Sequence, residues 1–175
     1  MCACIGLGSN LGDRLANLRR GLAGLRAEGV RITAVSGVYE TSPVRTGGAD
    51  PGGIYLNAAA TVECARGPRE LLDLMLRIEI DAGRRRGGAG GGARTLDLDL
   101  LLVRDRVIDE PGMVVPHPGL VSRRFVLLPL AEIAPDWLVP RASGSVRELL
   151  LALPQEPGEW QRRKGELERA EDTRS

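Results

Sequence analysis

The run Arg94-Thr95-Leu96-Asp97-Leu98-Asp99-Leu100-Leu101-Leu102-Val103 alternates apolar and polar residues as far as Leu100. That period of two belongs to a strand with two unlike faces. Leu96, Leu98 and Leu100 point into a core, and Thr95, Asp97 and Asp99 point the other way. Residues two apart on a strand stand roughly 6–7 Å from each other, so both carboxylates share one surface. Ionised carboxylates that close repel unless a cation lies between them. Hard oxygen ligands at this spacing suit Mg²⁺, which takes one or two carboxylates and completes its shell with water and phosphate oxygens. A solvent-facing strand with two charged positions has the same pattern, so the flanking sequence has to choose.

Immediately upstream, Gly83 to Arg94 holds six glycines, with Arg84, Arg85 and Arg86 near one end and Arg94 at the other. Such a segment cannot hold one backbone conformation cheaply, and its arginines suit a lid that clamps phosphates. A linker between domains is the alternative, weakened because too little chain follows to build a second core. Before it, Pro68 is suited to the first position of a helix over Arg69 to about Ala82. Its apolar stripe of Leu72, Met75 and Leu76 also carries Glu79. A carboxylate on an inward stripe costs free energy unless it is paired or binds something.

Further upstream, Ile54 to Cys64 is a second alternating strand. Leu56, Ala58, Ala60 and Val62 share one face, and Tyr55 and Asn57 share the other. A tyrosine and an asparagine two apart can serve a flat heterocycle as platform and amide reader; a half-exposed antiparallel strand reads the same way. Met1 to Gly8 is a buried strand, followed by the turn Ser9-Asn10-Leu11-Gly12-Asp13, in which Ser9 or Asn10 can cap a helix. Leu11, Leu15, Leu18, Leu22 and Leu25 form that helix's apolar stripe. Val30 to Tyr39 is a further strand running into Glu40-Thr41-Ser42-Pro43-Val44. Downstream, the single histidine, His117, lies between two prolines, a setting more typical of a turn than of a catalyst. Leu120 to Ile133 reads as helix broken at Pro129, and a short helix covers about Val146 to Leu153. Residues 1–154 form one domain, and a charged, loosely attached tail is expected over 155–175.

The 175 residues are 43% apolar and 27% charged with a net charge of +1, so no overall field draws the chain to nucleic acid or membrane. Only 3% are aromatic, which leaves few rings for stacking on bases. Three cysteines fit neither a disulfide framework nor a zinc spacing, so a cytoplasmic location is expected. No apolar run approaches the ~20 residues of a membrane span.

Several blocks occur together in order: Gly8-Ser9-Asn10-Leu11-Gly12-Asp13, Glu40-Thr41-x-Pro43, Tyr55-Leu56-Asn57-Ala58, Arg77-Ile78-Glu79, Gly83-Arg84-x-Arg86, Arg94-Thr95-Leu96-Asp97-Leu98-Asp99, Pro116-His117-Pro118 and Arg123-x-Phe125-Val126-Leu127-x-Pro129-Leu130. The set resembles the 6-hydroxymethyl-7,8-dihydropterin pyrophosphokinase family of folate biosynthesis. The resemblance implies transfer of pyrophosphate from ATP to the hydroxymethyl group of a reduced pterin, releasing AMP. It implies two Mg²⁺ ions on Asp97 and Asp99, with Arg84 and Arg94 acting on the phosphates. ATP would be held by Glu79, Arg84, Arg86, Arg94, His117 and Arg123. The pterin would lie between Tyr55 and Phe125, read by Asn57 and by Thr41, Ser42, Pro43 and Val44. The implied fold is ferredoxin-like α+β: an antiparallel sheet with helices on one face and the site on the other. The order strand, helix, strand, strand, helix, strand read from the residues agrees with it. The expected partners are small molecules, with no nucleic acid and no membrane; the chain is expected to be a monomer, with association to other folate-pathway enzymes open. The sequence departs from the family at Gly91-Gly92-Ala93, where Trp-Gly-Pro is usual, at Val114, often Thr, and at Leu76, usually polar.

Three rival readings draw on parts of the same chain. A nucleotidyltransferase pairs a Gly-Ser turn with Asp-x-Asp, but normally keeps the two close in sequence. A dinucleotide reading of Gly6-x-Gly8-x-x-x-Gly12 needs a parallel βαβ unit. An RNA-binding module of the same fold needs exposed strand aromatics and a basic surface, and this composition supplies neither.

Overall fold

The computed structural model describes residues 1–42, 53–83, 94–155 and 161–168. Strand β1 (Cys2–Ser9) leads into helix α1 (Arg14–Ala27), then β2 (Arg31–Val35), β3 (Gly37–Thr41) and β4 (Tyr55–Glu63). Helix α2 (Pro68–Asp81) and strand β5 (Asp97–Val103) follow. A hairpin of β6 (Ile108–Glu110) and β7 (Met113–Val115), helices α3 (Arg124–Ile133) and α4 (Val146–Ala152), and strand β8 (Gln161–Glu166) complete the order. The main sheet runs β5-β1-β4-β3-β8, β2 also pairs with β4, and every pairing is antiparallel.

Alternation sorts the two faces as the sequence predicts. Ile5 and Leu7 of β1, Leu56, Ala58 and Ala60 of β4, and Leu98 and Leu100 of β5 join the core beneath α1 and α2. From α1 come Leu18, Leu22 and Leu25; from α2 come Leu71, Leu74, Met75 and Ile78. The α2 stripe is thus centred one residue away from the expected one. Leu11 precedes α1 and is exposed, because the helix starts only at Arg14: Asp13 is the cap, accepting the Ala16 N–H at 3.0 Å.

The antiparallel α+β sheet is as expected, but helices lie on both of its faces. Opposite Leu100 and Leu102, the partners in β1 are the consecutive residues Ile5 and Cys4, so Leu101 is an extra residue that bulges the strand. Leu101 and Leu102 both reach a second core with Cys4 and Ala59, and that apolar patch is covered by α3 and α4. The remainder of this face, toward the other end of β1, stays open for the site. Helix α3 also runs unbroken through Pro129, because burial of Leu127 and Leu130 on either side outweighs one missing N–H.

Two further expectations change. The strand expected over Val30 to Tyr39 is divided at Ser36, whose hydroxyl accepts the Ala59 N–H at 2.8 Å in place of a ladder bond. The segment expected to be loosely attached from residue 155 instead supplies β8, which pairs with β3. Glu40 of β3, buried, meets Arg162 at 2.7 Å, Arg14 at 3.5 Å and Lys164 at 3.7 Å, and Leu167 is fully buried. The charge run that looked like a solvated tail is therefore half of an ion-pair cluster.

Ending the chain after Gln155 is expected to cost about 2–4 kcal/mol, from exposure of Leu167, loss of the β3 partner and removal of two cations from Glu40. The hydrogen bond from Arg162, with the charges of Lys164 and Arg14 against the opposing effect of burial, holds Glu40 below its ordinary 4.5. That stabilisation is present above the ordinary value and is lost as pH falls through the lowered one. The gap between full-length and shortened chains should therefore narrow in acid. Urea denaturation of both chains at pH 7 and pH 4 measures it; equal midpoints at pH 7 would remove β8 from the folded unit.

Candidate active site

On the open face, β1 lies between β5 and β4, and its register sets the site. Gly8 is opposite Asp97 on one side and Asn57 on the other, and Gly6 is opposite Asp99 and Ala59. A cavity above this floor is lined by Thr41, Ser42, Tyr55, Asn57, Arg94, Asp97, Asp99, Arg123 and Phe125, together with Gly6, Gly8, Leu101 and Val126. The structure thus brings together the carboxylates, two of the arginines and the proposed ring platform from three separate segments, on a floor supplied by β1.

Asp97 and Asp99 share the face, as their spacing requires. Nη1 of Arg94 donates to both oxygens of Asp97, at 2.6 Å each. Burial of Asp99 raises its pKa above the ordinary carboxylate value and the charge of Asp97 raises it further, against His117, Arg94 and Arg123. Among the described residues no three His, Cys, Asp or Glu side chains cluster as an all-protein metal cage. Two hard carboxylates side by side fit a cation that takes its remaining oxygens from phosphate and water.

Asn57 is buried and donates through Nδ2 to the Thr41 hydroxyl at 2.8 Å, so its Oδ1 is oriented by a neighbour on β3. Tyr55 lines the cavity with Arg94 and Asp97; burial raises its phenol, with Arg94 lowering and Asp97 raising it. The Arg123 guanidinium lies 5.9 Å from the centre of the Phe125 ring, within reach of a cation–π contact.

Two expected residues do not line the cavity. Glu79 is 1% exposed on α2 and accepts the Leu98 N–H at 2.7 Å, so it supports the backbone between Asp97 and Asp99. His117 is held in its turn, its N–H on the Leu101 carbonyl and its Nδ1 accepting from Gly119 at 3.0 Å. A neutral His117 therefore carries its proton on Nε2. Arg84, Arg86, Pro43 and Val44, with the glycine-rich lid and its Gly91-Gly92-Ala93 departure, lie outside the described residues.

Other contributors are visible only in three dimensions. Ser9 and Asn10 do not cap α1. Oγ of Ser9 donates to the Thr95 carbonyl at 2.6 Å, and the Arg94 N–H donates to Oδ1 of Asn10, also at 2.6 Å. Asn17 in turn donates to the Ser9 hydroxyl and to the Leu11 carbonyl. The first turn of the chain thereby fixes where Arg94 enters the site, while Gly12 turns the backbone at a left-handed φ of +66°.

An open sheet face with paired carboxylates, guanidinium groups and a ring platform defines a small-molecule site that handles phosphate. The family model described as 7,8-dihydro-6-hydroxymethylpterin-pyrophosphokinase (HPPK) matches residues 4–135. A 2-amino-4-hydroxy-6-hydroxymethyldihydropteridine pyrophosphokinase from Synechocystis is 40% identical over 149 residues, covering 85% of this chain and 74% of the relative. One of the same name from Bacillus subtilis is 44% identical over 132 residues, covering 75% of this chain and 77% of the relative. A crystal structure of Plasmodium falciparum HPPK-DHPS superposes with a TM-score of 0.64 at 14% identity, covering 86% of this chain but only 45% of that one. It shares the fold. This chain belongs to the HPPK family.

Proposed function

We propose that the chain transfers pyrophosphate from ATP to the hydroxymethyl group of 6-hydroxymethyl-7,8-dihydropterin, giving AMP and the pterin diphosphate for folate biosynthesis. The observation that carries the reading is one cavity in which Asp97, Asp99, Arg94 and Arg123 face the Tyr55, Asn57 and Phe125 platform. In the reaction the acceptor oxygen forms a bond to the β-phosphorus, the bond from that phosphorus to the α–β bridging oxygen breaks, and the hydroxyl proton leaves. Transfer of this kind asks a protein mainly for positioning and charge stabilisation.

The residues divide that work. Tyr55 and Phe125 hold the pterin ring, Asn57 and the Thr41–Ser42 backbone read its edge, and Arg94 and Arg123 neutralise phosphate. Arg84 and Arg86 would join them from the glycine-rich segment, and His117 would contact the nucleotide from its turn. Asp97 and Asp99 would hold Mg²⁺, two ions in the reading from the family's pattern. The chemistry that Mg²⁺ would supply there is neutralisation of the phosphate charge that the acceptor must approach. The partners of the site are small molecules; a cytoplasmic monomer, alone or beside other folate enzymes, is consistent with it. No helix among the described residues is long and apolar enough to cross a membrane.

Mixing the protein with ATP, Mg²⁺ and the reduced pterin, then identifying the nucleotide released, tests the reading. AMP with a pyrophosphorylated pterin is expected, and EDTA should abolish it. ADP would mean a simple kinase, and inorganic pyrophosphate would favour nucleotidyl transfer through the Asp-x-Asp pair.

A further inference from the structure

We infer that Gly8 is a specificity-determining position: its missing side chain is the clearance through which the acceptor's hydroxymethyl-bearing edge reaches Asp97. The inference rests on the pterin reaction proposed above. Glycine in a central strand weakens the sheet and needs a reason, either a special backbone, a tight neighbour or a ligand. The first two are absent here. Gly8 is not among the residues with positive φ, so any L residue could adopt its backbone. A Cβ built on it would meet Asn57 Oδ1 at 3.4 Å and Asp97 Cβ at 3.7 Å, ordinary van der Waals contacts.

What the Cβ would enter is the cavity floor between those two side chains. Asn57 belongs to the ring-reading side and Asp97 to the phosphate side. The group that must pass between them is the acceptor's CH₂OH, since it joins the ring to the oxygen that attacks phosphorus. A methyl at this point occupies the space that the reacting edge needs.

Gly8→Ala therefore separates stability from binding. The substitution removes unfolded-chain freedom without native strain, so its Tm should equal or exceed that of the parent. Its Kd for the reduced pterin should rise by about tenfold or more, on the scale that one methylene commands in a fitted pocket. The KM for ATP should stay within about twofold, as uniform nucleotide binding is untouched. Pterin binding is read by titration calorimetry, with the melting curve and ATP kinetics measured alongside. Unchanged pterin affinity in Gly8→Ala, with the parent binding normally, would overturn the inference and leave the reaction standing. A fall in Tm of more than about 5 °C would also overturn it, by making the glycine structural. A parent chain that binds no reduced pterin would overturn both.

Discussion

Asp97→Ala and Asp99→Ala are each expected to lower turnover by at least about 10³-fold, the scale seen when a preorganised charge partner at phosphorus is removed. The secondary structure should survive. Both side chains stand on the open face of β5, opposite Gly8 and Gly6, while the strand's packing comes from Leu98 and Leu100 on the other face. Neither carboxylate fills the core, so neither substitution leaves a core cavity. Asp99→Asn sharpens the test. The ionised Asp99 is disfavoured by burial and by its neighbour Asp97, so neutralising it relieves a repulsion. The variant should melt no lower than the parent at pH 7, yet turn over no substrate. Single-turnover assays with circular dichroism on the same samples decide the matter. Substantial activity in both alanine variants would remove the aspartates from the reaction, whatever the family pattern implies.

Glu79→Ala is expected to cost about 2–4 kcal/mol of folding stability, because the buried Leu98 N–H loses its acceptor and a gap opens beneath β5. β5 is the outer strand of the main sheet, so only one of its edges is paired with β1. Glu79 serves the other edge at the amide lying between Asp97 and Asp99. Turnover should drop with stability, since the two carboxylates would no longer be held in one orientation; about tenfold is expected for a displaced charged group. Glu79→Gln keeps an acceptor oxygen and should recover part of both losses. Denaturation midpoints and kcat at saturating substrate provide the comparison. A Glu79→Ala protein as stable as the parent would mean that the Leu98 contact contributes nothing.

Glu79 also illustrates what a helical stripe can reveal. Its spacing from Leu72 and Met75 placed it facing inward, and it is almost fully buried. Which group it met there was open: the resemblance pointed to nucleotide, and the structure supplies a backbone amide. Ser9 and Asn10 behave similarly. Their types suit a helix cap, but the chain places the Arg94–Thr95 segment against them, and Asp13 takes the cap. Arg162 and Lys164 read as solvated charge until Glu40 is seen beneath them.

By itself the sequence determined those features that depend on neighbours along the chain. Alternation put Asp97 with Asp99, and Tyr55 with Asn57, each pair on one face, because successive side chains on a strand must point to opposite sides. The spacing of apolar residues located both long helices for the same kind of reason. The tertiary structure alone decided that β1 runs between β5 and β4, so that a glycine separates the carboxylates from Asn57. It alone decided that Arg94 grips Asp97, that Glu79 supports β5, and that β8 closes onto β3. Strand order and register arise from contacts between segments far apart in the chain, and no local period encodes them.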